Sequence, residues 1–103
     1  MNQPHPYFES INTLGGVEKV FSLFRRNASK HSKDQAAICI GQIFRAKEIV
    51  DADMRREIIA HLKLLINDPV DWVKINQKQA LRFLAQNAVN RAEIESDGFV
   101  IPQ

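Results

Sequence analysis

Three histidines, one cysteine and a short acidic cluster are the residues of this chain best suited to handling protons, electrons or metals. His5, His31 and His61 fall in separate segments, and no pair of them has metal-ligand spacing. Cys39 sits inside the apolar run AAICIGQIF, where a free thiol behaves as a small hydrophobe. Asp51, Asp53 and Glu57 read as the negatively charged start of a helix. No glycine-rich phosphate loop is present. These residue types point away from an enzyme, and no catalytic, cofactor-binding or metal site is expected. What remains is binding chemistry. RRNASKHSK carries Arg25, Arg26, Lys30 and Lys33 beside His31, and Lys74, Lys78 and Arg82 share a face at i, i+4 and i+8. Such strips suit phosphates or an acidic peptide. They also suit solvated helix surfaces, and basic residues at a helix end complement its dipole.

The bulk composition narrows the choice. A chain of 103 residues with 45% hydrophobic and 25% charged residues can bury one modest core. A net charge of +2 is too small to grip nucleic acid by itself. The single cysteine permits no intramolecular disulfide, which suggests a reducing compartment, cytoplasmic or nuclear. No apolar run approaches the ~20 residues of a membrane span. Disorder is expected only in the polar, Pro-broken MNQPHP.

Helical periodicity must position the binding residues. Val17, Val20, Phe21 and Phe24 recur at i, i+3, i+4 and i+7 after a Gly15-Gly16 turn. Ser32-Lys33-Asp34-Gln35 has the form of a capping box opening a second helix, apolar almost all round from Ala36 to Phe44. Met54, Ile58, Leu62 and Leu65 make a third stripe, widened by Ile59 and Ile66. Asp68 then caps and Pro69 begins a fourth helix with Val73, Ala80, Leu81, Leu84, Ala85 and Ala88 on its core face. No segment alternates as a strand does, so the chain is all-α.

A shift of 41 residues superimposes Val17 on Ile58, Phe21 on Leu62, Phe24 on Leu65, Ile40 on Leu81 and Ile43 on Leu84. Ile11–Val17 (IxxxGGV) matches Ile94–Val100 (IxxxGFV) at an offset of 94 − 11 = 83, one more than two periods. Two longer helices and a short leading one per ~41 residues, with GGVEKVFSLF, AAICIGQIF and ALRFLAQNAVNRAEIESDGFVIP as the clearest pieces, resemble the armadillo family over nearly the whole chain. Glu57 stands where that family turns on Gly, so the first two helices of the second repeat are expected to fuse, as in related HEAT repeats. The resemblance implies a right-handed α-α superhelix and one domain over 1–103. Repeat one spans about 7–50, repeat two about 51–90, and a third starts over 91–103. Two complete repeats fall short of the about three usually needed. The expectation is self-association through uncovered end faces, or excision from a longer solenoid.

The same resemblance implies a protein-interaction scaffold whose third helices line a groove for a peptide or helix partner. Helical-wheel arithmetic locates that face. With Leu84 inward, Trp72, Ile75, Gln79, Arg82, Phe83 and Gln86 point away from the core, as do Asp34, Ile38, Gly41, Gln42 and Arg45 in the earlier helix. Trp72, Ile75 and Phe83 are then large apolar groups either open to a ligand or packed on a neighbouring repeat. In importin-α-like armadillo proteins, Trp and Asn recur on the third helices and grip a peptide backbone. The matching positions are Ile38, Gln42, Gln79 and Phe83, and none carries those residues. Basic import peptides are therefore disfavoured, and Lys78 with Arg82 would repel them. An acidic or amphipathic ligand suits the face better. The alternative is a nucleic-acid-binding helical repeat using Arg25, Arg26, Lys30, Lys33, Lys74, Lys78 and Arg82.

Overall fold

In the computed structural model, which describes residues 15–101, the regular structure consists of five α-helices and one 3-10 turn, with no strand among the described residues. His5, the polar MNQPHP segment and the short helix expected through Tyr7, Phe8 and Ile11 lie outside the described residues.

Helix α1 (Gly16–Arg26) starts from Gly15 at φ 73°, a left-handed conformation that glycine adopts without strain, and ends on Asn27 at φ 53°. Its Val17, Phe21 and Phe24 are buried, while Val20 is only half-buried. Helix α2 (Lys30–Ile43) begins a turn earlier than the S-x-x-Q pattern suggests. Ser29 is the N-cap, and its side chain accepts from the Ser32 N–H. The left-handed Asn27 turns the chain so sharply that helix resumes within three residues, and Ser29 is the first side chain able to satisfy the new helix end.

Helix α3 (Ala52–Leu64) is one continuous helix through Glu57, capped by Asp51, whose carboxylate accepts from Met54 N at 3.0 Å. A 3-10 turn (Leu65–Asn67) follows. Asp68 does not cap the next helix. It accepts from Val70 N at 2.9 Å in a local turn, and α4 (Asp71–Leu84) starts two residues beyond Pro69. Helix α4 stops at Leu84, and α5 (Ala88–Glu95) starts afresh from Asn87, whose side chain accepts from Val89 N and Asn90 N. Ala88, expected on the core face of a longer fourth helix, is therefore exposed.

Helices α2 and α4 are the same length and are offset by 41 at both ends (71 − 30 and 84 − 43). All ten residues paired by that offset are buried. α2 is central, packing on α1, α3 and α4, while α3 also packs on α5. Contacts between α2 and α4 run in the same order along both: His31 meets Trp72, Gly41 meets Ala80, and the Ala46 N–H beyond α2 donates to Phe83 O. The two helices therefore lie side by side with the same sense. The radius of gyration is 12.6 Å, that of a compact domain of about 100 residues, so two helix pairs develop no elongation.

Two polar clusters with buried members, Asp34 and Asp68 in one and Asn90 in the other, tie the pairs together. Lys30 Nζ bridges Asp34 (2.5 Å) and Asp68 (2.6 Å), and His61 Nε2 lies 2.8 Å from Asp34. At the other end Asn90 accepts from Ile49 N at 3.0 Å and donates to Lys47 O at 2.7 Å.

Candidate partner-binding face

Helices α1, α2 and α4 leave an open cavity of about 520 Å³ between them. Val20 and Leu23 of α1 form one wall, Ala36, Ile38 and Cys39 of α2 the floor, and Trp72 and Asn76 of α4 the opposite wall, with Gln35 and Gln42 adding polar groups. This wall arises because α1 carries apolar residues beyond its core stripe. Leu23 is 48% exposed, out of register with Val17, Phe21 and Phe24. Trp72, 36% exposed, rests edge-on against His31 with ring centroids 5.7 Å apart.

The side chains selected on the helical wheel divide into several environments. Gln42 lines the cavity and donates to Gln79 Oε1 at 3.2 Å, closing the seam between α2 and α4. Beyond that seam the Arg45 guanidinium lies 5.3 Å from the centroid of the half-buried Phe83 ring. Gln86 is half-buried in the turn after α4. Ile75, Lys78 and Arg82 are exposed on the outer surface of α4. Ile38 is not open but buried, forming floor rather than rim. Asp34 and Gly41 are also buried rather than on an open face. The physical reason is the central place of α2: α4 covers the Gly41 side, and Lys30 and His61 close over Asp34.

The basic strip Arg25–Lys33 is largely engaged within the fold. Arg25 makes a two-point contact with Glu57, at 3.2 and 2.7 Å, and that hydrogen-bonded pairing raises the arginine and lowers the glutamate from their ordinary values. Lys30 is raised in the same way by Asp34 and then Asp68. Lys33 donates to Phe24 O and lies 3.7 Å from the Phe24 ring centroid. Cys39 is half-buried, and that burial pushes its thiol up, disfavouring the reactive thiolate. No group of three or more metal-ligating side chains converges among the described residues.

Val20 and Leu23 lie outside the wheel-selected face because that face was sought on α2 and α4 alone, and Asn76 lies one turn beyond Trp72 on the cavity wall of α4. A signal was present: Leu23 and Val20 stand three apart, on the flank next to the core stripe of α1. A second cavity of about 710 Å³ lies along the 44–51 turn between α1 and α3, rimmed by Glu18, Glu48 and Asp51. It presents no exposed aromatic wall.

Comparisons with protein-family models, curated proteins and solved structures return no match. No helix among the described residues is long and apolar enough to cross a membrane.

Proposed function

We propose that this chain is a non-enzymatic protein-interaction scaffold, built as an armadillo- or HEAT-like stack of two helix pairs. It would bind a peptide or helix along the face formed by α2 and α4. One observation carries the reading: the cavity over α2 is walled by the exposed Leu23 and the partly exposed Trp72, and Gln42 and Gln79 amides lie at its end. An apolar recess with a few convergent hydrogen-bonding groups takes an anchoring side chain while the amides hold backbone. The nucleic-acid reading is weaker, because the fold already engages Arg25, Lys30 and Lys33 and leaves the exposed Arg26 and a short basic edge on α4. A phosphate-tracking surface needs more free cations than that.

Peptides selected on the wild-type protein by phage display test this. Trp72→Ala and Leu23→Ser should each weaken the selected peptides about tenfold, roughly 1.4 kcal/mol, while leaving the melting temperature nearly unchanged. Selected peptides that bind both variants as tightly as wild type would move recognition off this face.

A further inference from the structure

The outer edge of α4 differs in kind from the corresponding edge of α2. In α2, Ala37 and Gly41 stand four residues apart on a stripe with Asp34, and all three are buried. Gly41 is so close to the neighbouring helix that a Cβ built there would lie 2.7 Å from Ala80 Cβ. The 41-residue offset puts Lys78 at the place of Ala37, Arg82 at that of Gly41 and Ile75 at that of Asp34. All three are exposed, Ile75 at 65%. A third helix could not approach this edge at the α2–α4 spacing. Two cationic side chains occupy the space, and burying them unpaired is prohibitive.

The charges on this edge are also largely unspent, Lys74 acting only at longer range on Asp68. Arg25, Lys30, Arg55, Arg56, Lys63 and Arg91 each face a carboxylate. Lys74, Lys78 and Arg82 form no ion pair among the described residues. Asp71 is the only acid on the strip, at its N-terminal end. A row of free cations with a large aliphatic group between them is complementary to a segment that is both acidic and apolar.

We propose that this outer edge of α4, centred on Ile75, Lys78 and Arg82, is a docking edge for an acidic amphipathic segment of a partner protein rather than a stacking face for another helix pair. The inference rests on the scaffold reading but names a surface beside the cavity, whose lining does not include Ile75, Lys78 or Arg82. Ile75 supplies the apolar contact, and Lys74, Lys78 and Arg82 face the partner's carboxylates across the same edge.

The test uses three labelled helical peptides with Leu at every third or fourth position and Glu, Gln or Lys elsewhere, read by fluorescence anisotropy. The Glu peptide should bind at least about tenfold tighter than the Gln peptide, and the advantage should shrink as NaCl rises from about 0.05 to 0.5 M. The double variant Lys78→Glu with Arg82→Glu should reverse the order in favour of the Lys peptide at an unchanged melting temperature. Lys78→Gln with Arg82→Gln should erase the Glu-over-Gln preference. Trp72→Ala should leave the preference intact. Equal binding of Glu and Gln peptides that Trp72→Ala weakens alike would overturn the edge and leave the cavity reading standing. Absence of all peptide binding would remove both. A single-stranded oligonucleotide binding tighter than the Glu peptide would reassign the edge to nucleic acid, and self-association abolished by the double reversal would reassign it to a second copy.

Discussion

Asn90 and Gln77 are both amide side chains with no exposed surface, yet they stand in opposite energetic positions. Asn90 uses its oxygen on Ile49 N and its nitrogen on Lys47 O, replacing the water that this stretch of non-helical backbone would otherwise need. Both polar atoms of Gln77 lack a partner. Burying an amide without its hydrogen bonds is unfavourable, and removing one that serves a buried backbone exposes that deficit twice. Asn90→Leu is therefore expected to lower unfolding free energy by about 2–4 kcal/mol, whereas Gln77→Leu should be neutral or raise it by about 1 kcal/mol. Urea denaturation of the two variants decides this, and losses of similar size would show that Gln77 is satisfied after all.

Between elements, the decisive contact is the approach of α2 to α4 at Gly41 and Ala80. Gly41 has helical φ, so its role is to leave space rather than to permit an unusual turn. Gly41→Ala should destabilise by about 1–3 kcal/mol through overpacking, although alanine has the higher helix propensity. Adding Ala80→Gly should recover part of the loss. A double variant no better than Gly41→Ala would mean that the strain lies elsewhere. This contact also marks where the sequence stops being legible. The ten positions paired by the 41-residue offset are all buried, and the two long helices keep that offset at both ends, because core-facing residues hold a fixed helical phase. Phase alone does not say which neighbour covers a face. Asp34 and Gly41 share the wheel phase of a groove, but in α2 that phase is covered by α4 and by the Lys30–His61 cluster. Helix starts misled for a related reason. Ser32 and Asp68 have capping chemistry, yet Ser29 and the local turn at Val70 hold the actual positions.

At the scale of the molecule, carboxylates add ion pairs between helices that the apolar core already packs together. Glu57 pairs with Arg25 between α1 and α3, Asp68 joins Lys30 of α2 to the segment before α4, and Asp97 beyond α5 pairs with Lys63 of α3. Hydrogen bonding to these cations holds Glu57, Asp68 and Asp97 below their ordinary values of 4.5, 3.8 and 3.8. A carboxylate depressed on folding stabilises the native state above its unfolded pKa, and that contribution disappears as pH falls through the folded value. The melting temperature should therefore decline below about pH 4, modestly because two of the three pairs are solvent-exposed. Asp68→Asn should melt lower than wild type at neutral pH but lose less between about pH 5 and pH 3. Parallel curves would show that the Lys30–Asp68 pair does not contribute.

Trp72 is the sole tryptophan of the chain, and it stands at the rim of the cavity over α2. The protein thus carries one indole, which can be excited apart from Tyr7 at the red edge of the absorption band and is placed where occupancy alters its solvation. A group seated against that indole would displace water from its ring and shift emission to shorter wavelength. Because no second indole contributes background, the spectrum reads that single site without a label.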